Sequence, residues 1–167
     1  MEKSQLLNRD DIARRIPHQG SMCLLDTVTA WDEQRISCQA SNHRAPDHPL
    51  RAHGRLGAAC GVEYAAQAMA MHGALMAESL SNGSAGSTPP RAGYLASVRG
   101  LTLYVDRLDT IAGPLSVNAE RISGDTNTVL YSFTVCACVQ TLLSGRAIVV
   151  LDAAGIAPIP IASSDTA

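Results

Sequence analysis

Hydrophobic and polar positions follow two different rhythms along this chain. Met22 to Trp31 (MCLLDTVTAW) reads as a strand with one charge, Asp26, inside it, and Gln34 to Ser41 (QRISCQAS) alternates as a second strand. Asp32 and Glu33 between them predict a hairpin. Leu56 to about Met76 (LGAACGVEYAAQAMAMHGALM) then changes the rhythm: it lacks proline and is rich in alanine, leucine and methionine, so it predicts a long helix. It is apolar on nearly every face, as expected of a helix wrapped by other structure. From Arg91 onward strands are predicted again, at Ala92–Leu103, Leu115–Ile122, Thr128–Gln140 and Leu142–Leu151, with Leu130 to Val135 β-branched or aromatic at most positions and a hairpin turn at Gly124, Asp125 and Asn127. Asn8 or Asp10 caps a short N-terminal helix through Ile12 and Ile16, ended by Pro17, and His18 to Ser21 forms a turn. Two strands, one long helix and four strands make an α+β fold, an antiparallel sheet curved around one helix.

The connections differ in kind. Asn42 to Arg55 (NHRAPDHPLRAHGR) holds three histidines, three arginines, two prolines and a glycine, a loop that delivers the chain to the helix. Ser79 to Pro90 is small and polar, an exposed and mobile connection by composition. We expect one domain over residues 1–167, ordered from about residue 8 to 152, with a loosely held tail at 153–167.

Composition narrows the function. With 46% apolar and 17% charged residues the chain is globular, and a net charge of −2 gives no reason to expect nucleic acid. Lys3 is its only lysine among 13 basic residues. The central helix alone approaches the ~18 apolar residues of a membrane span. Glu63, Gln67, His72 and many small residues argue against that, and the N-terminal residues do not read as a signal peptide, so a cytoplasmic protein off the membrane is expected. The five cysteines, Cys23, Cys38, Cys60, Cys136 and Cys138, are odd in number, which argues against a disulfide framework. Cys136 and Cys138 share a strand face in this reading, but no accompanying pair suggests a metal, and no cofactor is indicated.

Candidate chemistry centres on Glu63. Between Arg55 and Glu78 it and, in part, His72 are the only side chains that carry charge near neutrality. No cation lies three or four residues away, so a buried lone carboxylate would be costly and driven toward its neutral form. A chain that keeps one there uses it. The bland alternative is a glutamate satisfied by a distant arginine or by backbone donors.

Two motifs carry a family resemblance over residues 11–151. Ile16–Val28 (IPHQGSMCLLDTV) is similar to Leu-Pro-His-x-x-Pro-Met-Leu-Leu-x-Asp-x-Val, and Gly61–Ala70 (GVEYAAQAMA) is similar to a Glu-x-x-x-Gln stretch on a central helix. Both resemble the hotdog-fold 3-hydroxyacyl-acyl-carrier-protein dehydratases of fatty-acid synthesis. GRLGAACGVEYAAQAMAMHGAL and LASVRGLTLYVDRLD are most similar to the dehydratase-like proteins of aryl-polyene pigment clusters.

The resemblance implies a hotdog fold and dehydration of a 3-hydroxyacyl thioester to the 2-enoyl thioester. That reaction uses a base at C2, an acid for the C3 hydroxyl, and N–H donors at the thioester carbonyl. Glu63 matches the family's helix carboxylate, and Gln67, one turn on, matches a glutamine that orients it or lines the pocket. Ala58 and Ala59 stand where the family's helix-start donors sit. The family's loop histidine lies fourteen residues before the acid, where this chain has Pro49. His48 is then the first candidate base and His43 the second, with a site lacking either as the third reading. By the same resemblance His18 is structural; His72, from its place on the helix, reads as a core or interface histidine and not a catalyst. His53 is closer to the helix and less suited. An acidic acyl carrier protein with a phosphopantetheine arm is the implied partner, met by Arg44, Arg51 and Arg55 with only Asp47 to offset them. A homodimer, or a heterodimer with another hotdog protein, is implied as well, with each site built across the interface, the histidine from one subunit and the acid from the other. Two alternatives share the fold: a non-catalytic subunit that supports an active dehydratase, and an acyl-thioester thioesterase, against which the Ile16–Val28 motif argues.

Overall fold

The computed structural model describes residues 6–81 and 93–151. A short helix α1 (Arg9–Ala13) is followed by strands β1 (Thr27–Trp31) and β2 (Arg35–Ala40), helix α2 (Gly61–Ser81), and strands β3 (Gly93–Leu103), β4 (Leu115–Gly124), β5 (Thr128–Ala137) and β6 (Gln140–Leu151). The six strands form one antiparallel sheet in the order β1-β2-β4-β5-β6-β3. Helix α2 packs against β2, β4 and β5. This is the antiparallel sheet around one long helix that the strand–helix–strand rhythm predicted, and the hotdog arrangement that the family resemblance implied.

Alternation sets which face is buried. Ile36, Cys38 and Ala40 of β2, Leu115, Val117 and Ala119 of β4, and Val129, Tyr131, Phe133 and Val135 of β5 point inward at every second position. They meet Tyr64, Ala68, Met71 and Leu75 of α2 in a continuous apolar core. At the N-terminus Asn8 caps α1 reciprocally: its side chain accepts from the Asp11 N–H, and Asp11 accepts from the Asn8 N–H.

Several boundaries move. Residues 20–22 form a single 3₁₀ turn, begun by Gly20 at φ +59°, so β1 starts at Thr27 and not at Met22. Strand β5 ends at Ala137 because Cys138, at φ +51°, turns the chain into β6. Cys138 is therefore exposed in a turn and shares no strand face with Cys136, and all five cysteines are free. Helix α2 runs through Ser81, which takes Ser79 to Ser81 out of the predicted connection. The remainder of that connection and the tail lie outside the described residues.

Helix α2 is not covered on every face. Glu63, Ala66, Ala70, Gly73 and Ala77 are all partly exposed and recur at helical spacing, so they form one open stripe. The helix looks apolar all round in sequence because this stripe is built of alanine and glycine. At ~1.5 Å per residue it extends about 21 Å from Glu63 to Ala77.

Candidate active site

The open stripe forms one wall of a groove of about 1140 Å³. Opposite it stand Tyr94 and Leu95 of β3, Tyr131 of β5 and Val149 of β6, and Pro17 and His18 also line it, as does Glu63.

Glu63 is not a lone buried charge. Its side chain is 31% exposed, and Oε1 has two partners. The Gln67 Nε2 donates to it at 3.0 Å, and the His18 Nε2 lies 3.0 Å away. The expectation of a lone, buried carboxylate fails: Gln67 meets it from one turn on, as expected, and His18 comes from 45 positions away, a place that helical spacing of cations does not survey. Gln67 is itself fixed and fully buried: its Nε2 also donates to the Met22 carbonyl at 2.7 Å, and its Oε1 accepts from the Leu24 N–H at 2.8 Å. One side chain thus binds the N-terminal turn to the helix and holds the carboxylate. His18 Nδ1 is enclosed without a hydrogen-bond partner.

The loop histidines point elsewhere. Neither His43 nor His48 lines the groove, and they are 1% and 5% exposed. His48 Nδ1 accepts from the Leu50 N–H at 3.1 Å. Tyr64 donates its hydroxyl proton to Asn42 Oδ1 at 2.7 Å, so it accepts from the His48 Nε2–H at 2.9 Å. Burial, then the charges of Arg51 and His43, holds His48 below the usual histidine range, so it is neutral with its proton on Nε2. His43 donates from Nε2 to the Ile111 carbonyl at 3.0 Å, and its Nδ1 is buried without a partner. His53 is exposed in a turn at φ +52°. His72 donates to the Asp32 carbonyl and accepts from the Tyr131 hydroxyl, each at 2.8 Å, a satisfied core histidine held neutral by burial.

The helix start lies apart from the groove. The Ala58 N–H donates to the Asp106 carbonyl at 3.0 Å, and Ala59 is exposed; neither residue lines the groove. Of the three arginines expected at the mouth, Arg51 is structural. It binds the Ala45 carbonyl and Asp109, whose side chain is only 3% exposed and also accepts from Arg107 and from the Leu56 N–H. The Arg107 guanidinium, with these neighbours, holds the Asp109 carboxyl well below the usual carboxylate range. Asp109 therefore offsets Arg51, which corrects the reading that only Asp47 does. Arg44 and Arg55 are exposed and away from the groove, which is lined instead by Arg15 and Arg121. Among the described residues no group of three or more histidine, cysteine, aspartate or glutamate side chains could hold a metal ion, and no helix is long and apolar enough to cross a membrane.

A family model described as ApeP dehydratase, ApeP-like, matches residues 10–154. The chain belongs to the ApeP-like dehydratase family. A comparison with curated proteins returns no match. Among solved structures the ApeP-like chain is similar to the dehydratase heterocomplex ApeI:P from Xenorhabdus doucetiae, at 20% identity and TM-score 0.71, over 87% of this chain and 91% of that one. It is also similar to a thioesterase family protein from Silicibacter pomeroyi (14% identity, TM-score 0.58, 86% and 93% covered). The E. coli PaaI protein from the phenylacetic acid degradation operon is a third such structure (14%, 0.54, 85% and 88%). These likenesses share the hotdog fold.

Within this ApeP-like chain the sequence led to Glu63 and Gln67, and the structure brings the two together. It did not lead to His18, which was read as structural. The available signal was that the Pro17-His18 turn and the Glu63-Gln67 helix are the two motifs of one family, and motifs so paired often meet in space.

Proposed function

We propose that the protein dehydrates a 3-hydroxyacyl thioester, carried on the phosphopantetheine arm of an acyl carrier protein, to the trans-2-enoyl thioester. The supporting observation is the Glu63 carboxylate, anchored through Oε1 by Gln67 and His18, at one end of a long groove walled by small residues. Elimination breaks the C2–H bond, whose electrons become the C2=C3 π bond as the C3–O bond breaks. A protonating group then releases hydroxide as water. A carboxylate on a rigid helix beside an imidazole supplies both proton acceptor and donor. The stripe of alanine and glycine leaves room for an extended acyl chain along α2.

We also infer that the protein works paired with a second hotdog chain, as the ApeI:P structure is a heterocomplex. Strand β3 is an eleven-residue sheet edge exposed along most of its length, including Tyr94, Leu95, Leu101 and Leu103. A long apolar edge of this kind is a template for pairing with another chain.

The test is to follow 2-enoyl product from a carrier-bound 3-hydroxyacyl thioester, with the protein alone and with a second hotdog protein of the same organism. Product that is lost with Glu63→Gln is the expected result. Product that needs the second protein yet survives Glu63→Gln would instead make this chain a supporting subunit. Free acid in place of enoyl product would make it a thioesterase.

A further inference from the structure

We propose that the histidine serving this site is His18 of the same chain, and that the loop histidines His43 and His48 take no part in the chemistry. The inference rests on the dehydratase reading above.

Two independent sets of observations carry it. First, His18 Nε2 is 3.0 Å from Glu63 Oε1, and both side chains are partly exposed and line the groove. Their positions are over-determined. Gln67 grips Met22 and Leu24, which follow His18 by a few residues, and the Gln19 side chain ties the same turn to the Ala13 and Ile16 carbonyls. The pair is therefore presented to the groove by two rigid segments of one chain. Second, the loop histidines are spoken for. Both nitrogens of His48 are hydrogen-bonded, and His43 spends Nε2 on a carbonyl while its Nδ1 is sealed inside the chain. A side chain buried within its own chain is equally withheld from a neighbouring chain's groove.

The proton balance closes on the pair. The C2 proton passes to the His18–Glu63 pair, the C2–H electrons form the double bond, and one proton from the pair leaves with the C3 hydroxyl as water. One proton enters and one departs, so the pair is regenerated with no co-reactant.

The test uses a 3-hydroxyoctanoyl thioester of N-acetylcysteamine and the protein in whichever assembly turns it over. His18→Ala, His18→Gln, His43→Gln and His48→Gln are compared after far-UV circular dichroism and melting curves establish the folded fraction. We expect kcat per folded protein to fall about 100-fold or more in both His18 variants. We expect it to stay within about three-fold in His43→Gln and His48→Gln. Added imidazole should restore part of the rate to His18→Gly but not to Glu63→Gln, a response that a merely structural histidine would not give. Full rate in His18→Ala, or loss of kcat in a well-folded His43→Gln or His48→Gln, would overturn the assignment. A wild-type protein that yields no enoyl product, alone or paired, would overturn the dehydratase reading and this proposal with it. Wild-type product that persists without His18 would sink this proposal alone.

Discussion

The chain carries histidines beside proline in two places, and the two fare differently. The loop from Asn42 to Arg55 is the richer, with His43, His48 and His53 among arginines, and it reads as the catalytic loop. The turn at Pro17-His18 reads as a structural feature. In the folded protein His43 and His48 are buried and hydrogen-bonded, whereas His18 faces the groove and meets Glu63. Composition shows that polar groups are concentrated in the loop. It does not show whether they are spent on holding the loop together, and here most are. His48, Tyr64 and Asn42 form one chain of hydrogen bonds, and Arg51, Asp109 and Arg107 form another. These networks fix the approach to α2.

The sharpest way to break the contrast is kinetic. Glu63→Gln should lower kcat/KM by about 100- to 10,000-fold, the range of a lost acid–base group. Groups that act as one unit are strongly non-additive, so the double variant Glu63→Gln/His18→Ala should be scarcely slower than Glu63→Gln alone. If the two losses multiplied, His18 and Glu63 would be acting separately, and the pair would be a coincidence of position.

Next in size is the joint between the two family motifs. Gln67→Leu keeps the volume but leaves the Leu24 N–H and the Met22 carbonyl without their partner in a buried place. At about 1–3 kcal/mol for each stranded group, denaturant unfolding should show a loss of about 3 kcal/mol. The rate should fall too, because Glu63 loses one of the donors that position it. A stable but slow Gln67→Leu would mean that the turn is held by other contacts. Tyr64→Phe is the matching change on the loop side. It removes the hydroxyl that joins His48 to Asn42, so we expect about 1–3 kcal/mol of lost stability with kcat nearly unchanged. A drop in kcat out of proportion to the unfolded fraction would return the loop to the chemistry.

These expectations also separate what the sequence made legible from what it did not. The fold was legible because burial follows period: every second residue of β2, of β4 as far as Ala119 and of β5 faces the core, and the long helix is the only one of its length among the described residues. Glu63 was legible because a single acid in an apolar helix stands out, and Gln67 because it is one turn away. His18 was not, since its contact spans 45 positions and no periodicity couples a turn to a helix across that distance. The burial of Glu63 was overestimated for a local reason: alanine and glycine on the open stripe look the same in sequence as alanine in a core. Arg51 was misread likewise, because its partner Asp109 lies 58 positions on.

The mildest test uses pH. Burial holds both His48 and His72 below the ordinary value of 6.5 in the folded protein, and in the unfolded chain both return to it. Below pH 6.5 the unfolded state therefore binds more protons than the folded one. Stability should be flat above that value and decline as pH falls from 6.5 through the lowered folded values. Asp32, Asp109 and Asp125 are also held low, but they start from 3.8, so their contribution is lost only in more acidic solution. Melting curves between pH 8 and 5 thus read the buried histidines alone among these groups. The decline should be shallower in His48→Gln, measured as the slope of melting temperature against pH relative to that variant's own value at pH 8. If His48→Gln kept the full wild-type slope, the loop histidine would be titrating freely while folded. It would then again be available as a base, and the difference between the two regions would lose its physical ground.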